Sequence, residues 1–200
     1  MDDGLDPSDS VGNEKEMRRL LRYLLDKVDS LEIPDVPVYT GWEFLGGTAL
    51  VDVPGDTMSI FSVPTRKYLK VLVSCVPDGS VTARMQFNGD TGANYASYTV
   101  TNGGTYSGYT SQTSVAVDVD ANAVQKFATV DIVNIANQAK LLNVFINSEN
   151  AVGAGSAPAI RTTAGKWHNT VEPIDTVTVV NTAGVFGVGS ELRVFGLPDL

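Results

Sequence analysis

From Val81 to Phe87 the chain reads Val-Thr-Ala-Arg-Met-Gln-Phe, with Val81, Ala83, Met85 and Phe87 apolar and Thr82, Arg84 and Gln86 polar between them. Successive side chains of an extended backbone leave opposite faces, so this alternation is the mark of a strand with one buried face. It recurs near the C-terminus: Val177 and Val179 alternate with Thr176 and Thr178, and Leu192 and Val194 with Arg193 and Phe195. Residues 174–180 and 191–195 therefore read as a terminal hairpin, with Gly184, Gly187 and Gly189 supplying backbone freedom in the connection. Two strands bury too little to stand alone in water, so the pair must close a sheet built by the preceding chain. Further strands are expected over 49–53, 57–63, 67–76, 95–101, 115–119, 127–135, 141–147 and 159–163. Turn clusters at 77–79, 88–94, 102–104 and 153–158 separate them, and no helix is interleaved. Many short strands with Gly, Pro and Asn turns predict a mainly β chain folded as an antiparallel, jelly-roll-like β-sandwich.

Ahead of the β pattern stands one helical pattern, over 14–33. Met17, Leu21, Leu24, Val28 and Leu31 are spaced four, three, four and three, the interval of a coiled-coil seam. Leu20 and Leu25 widen the stripe, which suits three or more helices better than two and predicts a homo-oligomer, with a trimer favoured. An amphipathic helix folded back on its own domain is the competing expectation. Residues 1–13 are acidic and polar and read as a flexible tail; 34–38, carrying Pro34 and Pro37, reads as a linker, and 39–200 as the sandwich domain.

Two hundred residues with 43% hydrophobic and 18% charged content can build a proper core, so global disorder is not expected. The net charge of −9 argues against nucleic acid and anionic membrane as partners, since both recruit basic surface. No apolar run approaches the length of a spanning helix, and the N-terminus lacks the layout of a secretion signal, so a chain without an export signal is expected. Cys75 is the sole cysteine, which rules out an internal disulfide, and its apolar surroundings predict a buried, unreactive thiol.

Motifs for chemistry are sparse. His168 is the only histidine, and no serine stands in a nucleophile-elbow context, so no catalytic residues are assigned. Asp118, Asp120, Asp131 and Asp175 alternate with apolar residues as a solvated face does, and nothing pairs two of them around a cleft. No phosphate loop or dinucleotide fingerprint occurs, and no cofactor is expected. Asn88, Asp90 and Asn94 form a weak candidate calcium loop, although Asx side chains also brace tight turns unaided. Tyr95, Tyr98, Tyr106 and Tyr109 lie in a stretch rich in Ser, Thr and Asn and are the candidate recognition loop for sugar or protein, the alternative being a solvated sheet edge.

Taken together, RMQFNGDTGANYASYTVTNGG (84–104), GYTSQTSVAV (108–117), VDIVNIANQAKLL (130–142) and the set GKWHN, IDTVTV and GVFGVGSELRVFG within 165–196 resemble a recurrent β-rich domain. It is similar to small structural proteins of tailed bacteriophages and related viruses, of the head fibre, capsid decoration or minor tail protein type. The resemblance covers about 59–196 and does not reach the helix. It implies a fold and a setting but no reaction: a non-enzymatic virion component on the particle surface, made in the host cytoplasm. Its partners would be further copies of itself and the major capsid or another virion protein, with attachment through the N-terminal region. The alternative is a tail or adsorption protein contacting a host surface glycan or receptor. A cellular carbohydrate-binding module is a third expectation.

Overall fold

A computed structural model describes residues 7–29, 41–118, 120–149, 151 and 153–197, with helix side chains described for 14–27. The chain divides into two compact units, Met1–Tyr39 and Thr40–Leu200.

The first unit contains α1 (Pro7–Asp29). It starts a full two turns before the expected position, so residues 7–13 are helical and not a tail. Proline is at home in a first helical turn, where its missing N–H would have no intrahelical acceptor. Arg18 donates to Glu14 at 2.7 Å across one turn. Met17, Leu20, Leu21, Leu24 and Leu25 form an apolar face, and all five are more than half exposed. The side chain of Val28, residue Leu31, the 34–38 linker and residues 1–6 lie outside the described positions.

The second unit is an antiparallel sandwich. Its strands are β1 (Glu43–Ala49), β2 (Thr57–Ile60), β3 (Tyr68–Cys75), β4 (Pro77–Asp78), β5 (Ala83–Phe87), β6 (Tyr95–Thr101) and β7 (Ser107–Gln112), then β8 (Val115–Ala116), β9 (Lys126–Val133), β10 (Lys140–Ser148), β11 (Ala159–Trp167), β12 (Val177–Asn181), β13 (Val185–Phe186) and β14 (Glu191–Gly196). A large sheet runs in the order β1-β14-β3-β9-β10-β11-β6-β7 and a smaller one in the order β2-β12-β5-β8, while β4 and β13 pair separately. The pairings nest: β1 with β14, β2 with β12, β3 with β9, and β5 with β8. Nested pairs shared between two facing sheets are the wrap of a jelly roll. Two insertions, β6–β7 and β10–β11, extend the large sheet beyond β9 and carry most of the residues that matter below.

The inner faces meet in one core. Leu69, Val71 and Val73 of β3, Val130 and Ile132 of β9, and Leu192 and Val194 of β14 lie against Met85 and Phe87 of β5 and Val177 and Val179 of β12. The two-residue parity is as expected in β5, β12 and β14. Their pairing corrects one expectation. β12 belongs to the small sheet and β14 to the large one, so 174–196 is no hairpin but a crossing between layers, with β13 pausing against β4 on the way. Val81, expected to begin a strand over 81–87, instead lies ahead of β5, makes an isolated bridge to Asn122 and is fully buried. Val119 lies outside the described residues.

Under the extension the interior turns polar. Thr99 and Thr163 share a hydrogen bond of 2.9 Å, and Arg161 donates to Thr101 at 2.9 Å. Asp118, just past β8, is ion-paired to both Lys126 and Arg161, and Arg161 also reaches Asp120 at 2.6 Å. Lys126 Nζ donates further to the Val81 and Asp120 carbonyls at 2.6 and 2.5 Å. β11 approaches β8 closely here: a Cβ on Gly165 would sit 3.0 Å from Val115.

Candidate functional site

The outward side chains of the large sheet form rows whose members are set by register. One row runs Phe195, Lys70, Asp131, Asn143, Ala164, Tyr98 and Gly108, crossing β14, β3, β9, β10, β11, β6 and β7. Side-chain size collapses at Ala164 between longer neighbours. The collapse makes a hollow that continues to either side. Toward β3 it is a depression of about 540 Å³ lined by Trp42, Tyr68, Asp131, Leu141, Asn143 and Ala164. Toward β7 two further depressions share Ala164 and Tyr98, with Tyr106 and Phe145 on one and Tyr109 and Lys166 on the other. Ala164 lines all three, so they form one groove across the sheet.

The ends of the groove are aromatic. Tyr98 and Tyr106 stack with ring centroids 5.4 Å apart and planes 20° apart, and both are more than half exposed. Gly108 opposite Tyr98 leaves room for the ring, since a Cβ there would lie 3.0 Å from it. The hairpin that brings Tyr106 back toward Tyr98 turns at Asn102 and Gly103, both at positive φ, where asparagine and glycine are the favoured residues. At the far end, Lys70 sits 5.2 Å from the Trp42 ring centroid and donates to Asp131 at 2.5 Å. Between the ends, the Asn143 amide makes no hydrogen bond within the described residues.

The candidate recognition loop thus divides. Tyr98, Tyr106 and Tyr109 are exposed and line the groove. Tyr95 does not belong with them: it is 1% exposed, stacked on Trp167 at 6.2 Å. Its hydroxyl accepts from Phe87 N at 3.0 Å and donates to the Asp90 carbonyl at 3.1 Å. Strand parity explains the split, because 95 and 98 are separated by an odd number of positions. Trp42, Tyr68, Asn143 and Ala164 were not singled out in the sequence. Only cross-strand register brings them together, and register is not local information.

The Asn88–Asp90–Asn94 loop is a brace. Asp90 accepts from Gly92 N at 2.8 Å, from Asn94 Nδ2 at 3.0 Å and from Trp167 Nε1 at 2.7 Å. Burial alone would raise the Asp90 pKa, but these donors outweigh it and hold it below the ordinary value. Asn88 Oδ1 accepts from Asp175 N and Thr176 N at 3.0 and 3.1 Å. Oxygens already facing N–H donors do not suit a calcium ion, which needs them free. Among the described residues no group of three His, Cys, Asp or Glu side chains is placed to hold a metal.

The four aspartates weighed in the sequence for catalysis are engaged locally. Asp118 and Asp120 belong to the Arg161–Lys126 network, Asp131 to Lys70, and Asp175 accepts from Thr176 Oγ1 at 2.9 Å. His168 is exposed, and its side chain has no partner among the described residues. Cys75 is buried as expected, and burial pushes its thiol up to about 12. The fully buried Lys140 donates to the carbonyls of Ile135, Gln138 and Asn169, and burial lowers its pKa. Comparison with protein-family models, with curated proteins and with solved structures finds no match.

Proposed function

We propose that this chain is a non-enzymatic structural protein of a virus particle, a capsid decoration or head fibre component. Copies assemble through α1, attachment to the major capsid or another virion protein runs through residues 1–33, and the jelly-roll body faces solvent. The observation that carries the assembly step is the bare apolar face of α1, with Met17 and Leu20 above 60% exposed and Leu21, Leu24 and Leu25 above 50%. A helix of 23 residues with five such side chains in water gains by burying them against like helices, at roughly 1.5–3 kcal/mol per large aliphatic side chain. The virion setting rests on the motif resemblance over about 59–196. The lack of a reaction is supported by the local engagement of Asp118, Asp120 and Asp131.

Sedimentation tests the assembly step. The full chain should run at three times 21.2 kDa, and Leu24→Asp should reduce it to the monomer. A Leu24→Asp mass equal to the parent's would remove α1 as the device. Copies per particle, counted by mass spectrometry, then separate head from tail: hundreds place the chain on the head and a dozen or fewer on the tail.

A further inference from the structure

We propose that the groove centred on Ala164 binds an uncharged oligosaccharide laid across the strands of the large sheet. The groove belongs to the single body and needs no particle, so it stands apart from the virion assignment. Its length suits a short chain of sugar rings: from β3 to β6 is four strand spacings of ~4.8 Å, about 19 Å. Its ends suit the ring faces. A pyranose presents a patch of C–H bonds on one side, which packs on the electron-rich face of an aromatic ring. Trp42 and Tyr68 stand at one end and the Tyr98–Tyr106 stack at the other. Tyrosine and tryptophan offer this area with little rotamer entropy to lose.

The middle of the groove suits hydroxyls. Asn143 and Asp131 are direct cross-strand neighbours. The Asn143 amide offers a donor and an acceptor side by side with neither used, and Asp131 keeps one oxygen clear of Lys70. Adjacent donor and acceptor groups match the paired hydroxyls of a sugar ring. A few placed polar groups between apolar walls is the usual make-up of a small-ligand site.

Charge narrows the ligand class. Lys70 is already neutralised by Asp131, whereas Lys67, 5.3 Å from the Tyr68 ring centroid, and Lys166 have no ion pair among the described residues, in a chain of net charge −9. The net charge of −9 works against nucleic acid and heavily sulfated glycans at long range, and the test below sets a sialylated ligand against the uncharged ones. A second copy of the chain would find a concave floor with an exposed, unpaired amide at its centre, not the continuous apolar core of an obligate contact.

The test titrates the full chain with uncharged tetrasaccharides of the glucose, galactose, mannose and N-acetylglucosamine series, following tryptophan emission and heat. Trp167 is fully buried and Trp42 is 41% exposed, so a change in emission reports the Trp42 end of the groove. At least one series should bind and shift the emission. Ala164→Lys fills the exposed floor and should abolish binding, while Asn143→Ala and Tyr98→Ala should each weaken it at least tenfold. All three should leave the sedimenting mass and the melting temperature close to the parent's. Failure of every series to bind, or binding that survives Ala164→Lys, overturns the proposal. So does a change of oligomeric mass in Ala164→Lys, which would make the face a contact between copies, or preference for a sialylated tetrasaccharide. Leu24→Asp should alter mass and leave sugar binding intact, so the two assignments fail separately.

Discussion

Asp90 shows how much a single side chain does in this fold. Its carboxylate holds Gly92 and Asn94 of its own loop and, through Trp167, the end of β11. Phe87, Tyr95 and Trp167 pack within 6.3 Å of one another beneath it, so the loop is fastened to the aromatic part of the core. The pKa direction gives the sign of a pH effect. A carboxyl with its folded pKa below the ordinary 3.8 contributes stability that is fully present above that value and is lost as pH falls through the folded one. Asp90→Asn should cost about 1–3 kcal/mol at neutral pH, because an amide cannot accept from all three donors. It should also flatten the loss of stability below about pH 4 that the parent shows, as read by urea midpoints across pH. A variant with the parent's acid profile would show that the Asp90–Trp167 bond is not energetically significant.

At the scale of elements, the inserted hairpins depend on a buried charge cluster. Asp118 next to β8 meets Arg161 of β11 and Lys126 of β9, and so ties the extension to the jelly-roll strands. Removing one partner from such a cluster strands the others without compensation, at about 3–5 kcal/mol. Asp118→Asn should therefore lower stability by that amount, with hydrogen exchange rising first in β6, β7 and β11. Uniform loss over the whole body would contradict a local tie. The elements also differ in how readable they were. Strands with one apolar and one polar face, such as β5 and β12, declare themselves by parity. β7 does not, because five of its six residues are exposed and no apolar alternation marks it. The 174–196 segment was legible as two strands and misleading as a hairpin: its glycines allow a tight reversal, but the chain uses them to step between sheets. The start of α1 was hidden because polar residues 8–10 have low helix propensity, while Pro7 opens the first turn.

For the molecule as a whole, fold class followed from the period of two and the absence of interleaved helices. The groove did not, since Asp131, Asn143, Ala164 and Tyr98 lie on four strands and become neighbours only through register. Met17, Leu21 and Leu24 were legible as a stripe, and the described part of that stripe is exposed. The whole-molecule proposal is a division of labour, in which the helical unit assembles and attaches copies and the β unit presents its outer sheet. An anchor of this kind gains strength from multiplicity, because linked copies raise one another's effective concentration at the particle. The most direct measurement strips the protein from particles that carry it and adds back either the full chain or the body alone, 39–200, after circular dichroism has confirmed that the body is folded. The full chain should rebind and the body should not; undiminished binding by the body would contradict attachment through the N-terminal region.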